Sequence, residues 1–287
     1  MTINDYFHSW RRPGPHPPGD VDVEEGETLD YISGHYRIFQ YTKGHRYSTD
    51  DVLTAWYGTH WAPRVERAAD LGSGIGSVAI VAAWRLPAAQ FCTVEAQEAS
   101  VRLARKSIRY NGLESRFTIR QGDLRDPSIL ADVEPFDLVT GSPPYFPPGT
   151  AMEADHPQAI PARIEIRGDV RDYAAAAARI LAPGGLFAFV FPCLRRDDAE
   201  RAVRDAGLVM LHRRDVIFKE GDVPLIALFA ASRAADFPAH QACVVEPPLT
   251  IRRGDGKIDP EYAGIKVSFG FPPGEISPGP PLPRTPE

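Results

Sequence analysis

Four short stretches bring together residue types that could do chemistry. The first is Ala69-Asp70-Leu71-Gly72-Ser73-Gly74-Ile75-Gly76, at the end of the apolar run Val65–Leu71. Its glycines let the backbone turn sharply and come close to a ligand at a helix N-terminus. The spacing is G-x-G-x-G, not the G-x-G-x-x-G of dinucleotide binders. A carboxylate at Asp70 would repel a pyrophosphate and suits a cationic or zwitterionic ligand such as the methionine end of S-adenosylmethionine. Glu95 closes a second apolar run, where a carboxylate can accept from both hydroxyls of a ribose. Asp123, in Gln121-Gly122-Asp123-Leu124, closes a third and is placed to accept from an adenine amino group. A helix cap at Asp123 or Asp126 is the competing role.

The fourth stretch is Gly141-Ser142-Pro143-Pro144-Tyr145-Phe146, after the apolar run Phe136–Thr140. Two prolines and an aromatic at the carboxyl end of a parallel strand face the crevice where such sheets bind ligands. They suit transfer to a planar, conjugated amino group, whose nitrogen lone pair is delocalised into its ring. Acceptance of its two N–H groups by the Ser142 side chain and the Pro143 carbonyl would favour a pyramidal nitrogen. The locked proline φ angles hold that carbonyl in place. Tyr145 would stack on the base, worth about 1–3 kcal/mol. An already activated methyl donor needs positioning more than a strong base, and positioning supplies roughly 7–11 kcal/mol in ideal cases. A proline-rich loop around a buried tyrosine is the purely structural alternative.

The elements that must position these stretches alternate. Strands over Val65–Leu71, Gln90–Glu95, Arg116–Gln121, Phe136–Thr140 and Leu186–Phe191 are separated by turns and by helices over Val78–Arg85, Glu98–Tyr110, Asp169–Leu181 and Asp197–Ala206. Leu208–Phe218 and Pro224–Ala231 read as two strands with no helix between them. Repeated strand–helix units imply a parallel sheet covered on both faces. The expected fold class is α/β: a Rossmann-like, seven-stranded, mostly parallel sheet with an antiparallel hairpin edge. The expected domains are a flexible leader (1–27), an N-terminal cap segment (28–64), a Rossmann-like domain (65–270) and a disordered proline-rich tail (271–287).

The 287 residues carry 32 Lys+Arg against 38 Asp+Glu, a net charge of −6 that disfavours nonspecific adhesion to nucleic acid. Three cysteines without C-x-x-C spacing exclude a disulfide framework. Eight histidines show no H-x-x-x-H spacing, so no metal is expected. No secretory signal and no membrane-length apolar run is visible, which implies a cytoplasmic address. Arg102, Arg105, Lys106 and Arg109 share one face of a helix and read as a solvated surface. Arg195-Arg196, Arg213-Arg214 with Lys219, and Arg252-Arg253 with Lys257 are candidates for phosphate contact.

Asp70–Gly76, Glu95, Asp123 and Ser142–Tyr145 together resemble the motif order of class I S-adenosylmethionine-dependent methyltransferases that act on amino groups. Gly44-His45-Arg46-Tyr47-Ser48-Thr49-Asp50-Asp51-Val52-Leu53, Ala162-Arg163-Ile164-Glu165 and Leu249-Thr250-Ile251-Arg252 are similar to bacterial tRNA(Val) adenine-N6 methyltransferases. The likeness spans roughly residues 28–270. It implies S-adenosyl-L-methionine as cofactor and transfer to an exocyclic base amine, adenine N6 in tRNA first. The implied cofactor contacts are Thr49, Asp70, Gly72, Gly74, Gly76, Glu95, Asp123 and Ser142. Ser142, Pro143 and Tyr145 are the implied catalytic groups, and Tyr145, Phe146 and Arg163 meet the acceptor. Thr49 is equally an N-cap for the helix that follows it. Two departures stand out: Ser142 where the family has asparagine, a form also seen in cytosine-N4 DNA methyltransferases, and Ile164 where histidine is expected. The other readings are a small-molecule N-methyltransferase and a cofactor-binding RNA-binding module without catalysis.

Overall fold

The computed structural model describes residues 5–150 and 156–278. Two hairpins come first, β1 (Tyr6–Phe7) with β2 (Trp10–Arg11) and β3 (Glu27–Ser33) with β4 (Tyr36–Tyr41). Helix α1 (Thr49–Trp61) follows. Strands and helices then run β5 (Arg67–Leu71), α2 (Ser77–Arg85), β6 (Gln90–Glu95), α3 (Glu98–Tyr110), β7 (Phe117–Gln121), β8 (Phe136–Gly141), α4 (Ala159–Arg163), α5 (Val170–Ile180), β9 (Leu181–Pro192), α6 (Arg196–Asp205), β10 (Leu208–Lys219), β11 (Ile226–Arg233), β12 (Val244–Arg252) and α7 (Pro260–Ser268).

The main sheet has eight strands in the order β12-β10-β11-β9-β8-β5-β6-β7. β11 pairs antiparallel with both neighbours, and every other pairing is parallel. Along β9, Phe187, Phe189 and Phe191 face one helical layer with α5 and α6 while Ala188 and Val190 face the other with α1 and α2. Period-2 alternation thus buries both faces, which is why this strand reads as continuously apolar. Phe189 stacks on Phe187 at 4.7 Å and on Phe229 at 4.9 Å between ring centroids. Such pairs add roughly 0.5–1.5 kcal/mol beyond area burial.

Four sequence expectations are corrected here. The sheet has eight strands rather than seven, because β12 pairs parallel with β10 and covers the expected hairpin edge. Pro247 and Pro248 mask that strand in the sequence; the register slips at them, between Arg214↔Glu246 and Val216↔Leu249, as prolines at an edge require. Second, β9 starts at Leu181, and Pro183-Gly184-Gly185 lies within it as an irregularity between Phe136↔Leu181 and Leu138↔Leu186.

Third, the leader is packed over its described residues, 5–27. Asp20, Glu24 and Glu27 meet the basic face of α3 through Arg109–Asp20 at 3.3 Å, Arg102–Glu24 at 2.8 Å, Arg102–Glu27 at 2.7 Å and Lys106–Glu27 at 2.6 Å. The acidic run and the basic stripe are two halves of one contact, so Arg102, Lys106 and Arg109 are not merely solvated. Fourth, the start of the proline-rich tail is held: Ile258 N donates to Glu275 O at 2.8 Å, and Ser277 N to Ile258 O at 2.9 Å. Residues 279–287 lie outside the described ones. No helix among the described residues is long and apolar enough to cross a membrane.

Candidate active site

β5 pairs with β6 on one side and β8 on the other. The chain leaves β5 toward one edge of the sheet and later returns to build the other, so the loops after β5 and β8 diverge. Ligands bind at this switch point beyond the carboxyl ends of the strands. A cavity of about 850 Å³, mouth included, opens there and is lined by residues that follow β5, β6, β7 and β8.

The glycine turn shapes its floor. Gly72 and Gly74 have φ of +60° and +55°, the left-handed region that a side chain disfavours. A Cβ on Gly72 would come within 1.9 Å of the Tyr173 hydroxyl, whereas one on Gly74 would meet nothing within 4 Å. Gly76, at φ +84°, is the N-cap of α2 and supplies no side-chain bond, leaving that helix N-terminus available to a ligand. Gly72→Ala is therefore expected to lower stability by about 2–6 kcal/mol, the sum of backbone strain and overpacking. A fall in the urea midpoint and in cofactor affinity would register it; unchanged values would contradict it.

Asp70 is 2% exposed. Its Oδ1 accepts from the Thr140 hydroxyl at 2.8 Å, while Oδ2 is buried without a partner. Burial pushes its carboxyl up to about 7, opposed by the Thr140 bond and reinforced by the charges of Asp51 and Glu95. Glu95 accepts from Gly74 N at 2.8 Å and Gln97 N at 2.7 Å, and burial outweighs these bonds to raise its pKa. Both carboxylates line the cavity. Asp123 lines it as well, but its carboxylate is gripped by Arg125, with Nη2–Oδ2 at 2.5 Å, which holds it below the usual range. To accept from an adenine amino group it has to share that guanidinium's bonds.

The diproline corner follows β8. Ser142 lines the same cavity, and its Oγ is buried with no hydrogen-bond partner. Tyr145 donates its hydroxyl to Asp50 Oδ2 at 2.7 Å and sets its ring edge-on to Phe191 at 6.3 Å. Burial and the Asp50 charge keep that phenol well above its ordinary pKa, so it stays a donor. The Tyr145 carbonyl accepts from Arg195 Nη1 at 3.1 Å, and Arg195 pairs with Glu165 at 2.5 Å. Phe146 N donates to Arg163 O at 3.1 Å, and Glu165 N to Phe146 O at 2.9 Å. The Ala162–Glu165 segment therefore braces the Ser-Pro-Pro-Tyr corner, with Ile164 buried in it. Phe146, 37% exposed, is the aromatic that this corner offers to solvent.

Thr49 stands apart from the cavity. The N-cap of α1 is Ser48, whose hydroxyl accepts from Asp50 N at 3.3 Å, and Thr49 instead lies beside the Tyr262 side chain. From the same segment it is His45 and Asp51 that reach the cavity. Gln158 also lines it, tying His45 N at 2.6 Å to Ser100 Oγ at 2.9 Å. Thr140, Gln158, Arg167 and Tyr173 escaped sequence reasoning, and no motif marks them. Asp51 did carry a signal, as the N3 residue of the Ser48-x-x-Asp51 capping box.

The candidate phosphate-binding arginines are committed to structure. Arg195 holds Glu165, Arg196 holds Asp215 at 2.8 Å, Arg213 holds Glu200 at 2.8 Å, Arg214 holds Glu261 at 2.7 Å and Arg253 holds Glu220 at 3.4 Å. Lys257 pairs with Glu275 at 2.9 Å.

Residues 54–161 match the family model of the methyltransferase small domain. The tRNA1(Val) (adenine(37)-N6)-methyltransferase of Porphyromonas gingivalis (strain ATCC 33277) is 30% identical over 228 residues, covering 78% of this chain and 88% of that protein. The chain belongs to that family of S-adenosylmethionine-dependent methyltransferases. A 4-amino-L-phenylalanine/4-methylamino-L-phenylalanine methyltransferase of Streptomyces pristinaespiralis is 38% identical over 125 residues, 41% of this chain and 40% of that protein. A solved predicted O-methyltransferase from Agrobacterium tumefaciens superposes with a TM-score of 0.59 at 18% identity, over 80% of this chain and 100% of that one, a likeness of fold.

S-adenosylmethionine fits what the cavity leaves open. The orphaned Asp70 Oδ2 suits an ammonium, Glu95 sits at the strand end where ribose hydroxyls are read, and the space over Gly74 admits close backbone approach.

Proposed function

We propose that this methyltransferase modifies the exocyclic amine of an adenine in tRNA, with Asp70, Gly72, Gly74, Gly76, Glu95 and Asp123 around the cofactor and Ser142, Pro143 and Tyr145 around the acceptor. The observation that carries this reading is the buried, unpartnered Ser142 Oγ on the cofactor's own cavity, in a chain similar to a tRNA adenine-N6 methyltransferase over most of its length. When bound, S-adenosylmethionine supplies an electrophilic methyl carbon on a cationic sulfur. Ser142 Oγ and the Pro143 carbonyl accept the amine's two N–H groups and turn its lone pair out of conjugation. As the nitrogen gains its fourth substituent its N–H groups become more acidic, so both bonds strengthen in the transition state, which is where strengthening accelerates. The extra proton then leaves to water.

Exposed Lys43, Arg163 and Arg167 stand on the segments around the mouth, beside exposed Phe146 and Ile166 at 49% exposure. These cations and apolar groups border the cavity and form a surface on which a splayed-out nucleotide can be held. A tRNA substrate supports a cytoplasmic address for the enzyme.

The test is transfer of labelled methyl from S-adenosylmethionine into total tRNA, with nucleoside mass spectrometry for N6-methyladenine. Label in an aromatic amino acid but not in tRNA would replace this reading with an aryl-amine metabolite, the acceptor class named for the Streptomyces relative. Cofactor binding without transfer to either would mark a binding module. Tyr145→Ala is expected to slow transfer roughly 5- to 150-fold, the value of a lost base-stacking contact, while calorimetric cofactor affinity stays unchanged. Equal loss of both would place the ring on the cofactor side.

A further inference from the structure

Outside the cavity, the described residues contain one group of three metal-ligating side chains, Asp5, His16 and His35. We propose that these three hold a zinc ion, which fastens the amino-terminal strap to the body of the domain.

The geometry starts with the most rigid member. His35 occupies the tight turn Ser33-Gly34-His35-Tyr36 between β3 and β4. That turn is fixed by Gly34 N donating to Gly270 O at 2.8 Å. His35 is 3% exposed, yet its Nδ1 has no hydrogen-bond partner. A buried ring nitrogen left unpaired is costly unless something supplies the missing bond. Asp5 and His16 face it from the strap. The β1–β2 hairpin brings them together, with Arg12 N donating to Asp5 O at 2.8 Å. His16 Nε2 lies 3.3 Å from Asp5 Oδ1, and the His16 and His35 rings are 4.1 Å apart between centroids.

One ligand atom from each of the three residues lies within 4.8 Å of the other two. Tetrahedral zinc with bonds of about 2.0–2.1 Å sets its ligand atoms roughly 3.3 Å apart. The His16–Asp5 pair has that separation already at 3.3 Å, and the His35 contacts, within 4.8 Å, close to it with a shift of at most about 1.5 Å. The donor set decides the metal class: two imidazoles and one carboxylate suit zinc and its transition-metal neighbours, whereas magnesium and calcium demand oxygens. Water would complete the fourth position. Spacings of eleven and nineteen residues hid this group from motif reading, because a hairpin and a strap, not one helix, bring the ligands together.

The test uses the full chain. After equilibration with zinc and gel filtration, metal analysis should find one zinc per chain, and cobalt substitution should give the visible ligand-field absorption of a low-coordinate site. Asp5→Ala and His16→Ala lie on the strap and leave the core intact; each should weaken zinc affinity at least tenfold, since even outer-shell partners cost about 10–100-fold. His35→Gln should do the same, with circular dichroism confirming its fold. Zinc should also slow proteolytic cutting within the first 16 residues of the wild type but not of the variants. Failure of the wild type to retain zinc, or retention unchanged in the triple variant, overturns the proposal; the latter would assign the metal to other histidines.

Discussion

Asp70→Asn is expected to make the unliganded enzyme more stable above neutral pH while costing it cofactor. The carboxyl is buried, with one oxygen satisfied by Thr140 and the other by nothing, and its pKa is about 7. In the unfolded chain the ordinary value is 3.8. The folded state therefore binds the proton more tightly. Stability from this group is complete below about 4, declines as pH rises toward 7, and is lost above it. The penalty above pH 7 is on the order of 4 kcal/mol at most, from about three pKa units at 1.36 kcal/mol each. Asparagine keeps the shape without the charge and relieves it, so thermal denaturation at alkaline pH should shift upward. The same substitution removes the partner proposed for the cofactor's ammonium, worth roughly 1.5–3 kcal/mol, and affinity should fall about 10- to 150-fold.

In the wild type, a cation bound at Asp70 should pull its proton off. Cofactor titrations just below pH 7 should release up to one proton, visible as a dependence of calorimetric enthalpy on buffer ionisation enthalpy. Asp70→Asn should abolish that dependence. A variant that is less stable at alkaline pH, or that keeps full affinity, would show that the carboxylate serves the fold and not the ligand.

Ser142→Ala should leave cofactor affinity near that of the wild type and reduce kcat about 10- to 150-fold. On the proposed role, the bond lost is charge-assisted only while the acceptor nitrogen becomes cationic, and such bonds contribute roughly 1.5–3 kcal/mol. An effect confined to KM would mean that Ser142 binds the acceptor equally well before and during transfer. Ser142→Asn places an amide carbonyl where the hydroxyl oxygen stands and should preserve most of the rate on adenine. If Ser142→Asn proves inactive while Ser142→Ala remains active, the serine accepts no acceptor N–H bond and the corner has another task.

The sequence by itself determined the strand–helix alternation, and with it the site's skeleton. Gly72, Gly74, Glu95, Asp123 and Ser142 each follow or end a parallel strand, so pairing those strands in parallel necessarily gathers them at one edge of the sheet. Local order was enough because each strand–helix unit is short and its period visible. Only the tertiary structure decided what depends on contacts between distant segments. It turned the acidic leader and the basic face of α3 into partners, spent Arg195, Arg196, Arg213 and Arg214 on internal ion pairs, and set Thr49 against Tyr262 while Asp51 reached the cavity. It also gave the sheet its eighth strand across a proline pair, and drew Asp5 and His16 to His35. A charge or an imidazole looks the same in sequence whether solvent, a carboxylate or a metal answers it. Burial and distance make that choice, and they exist only once the chain has folded.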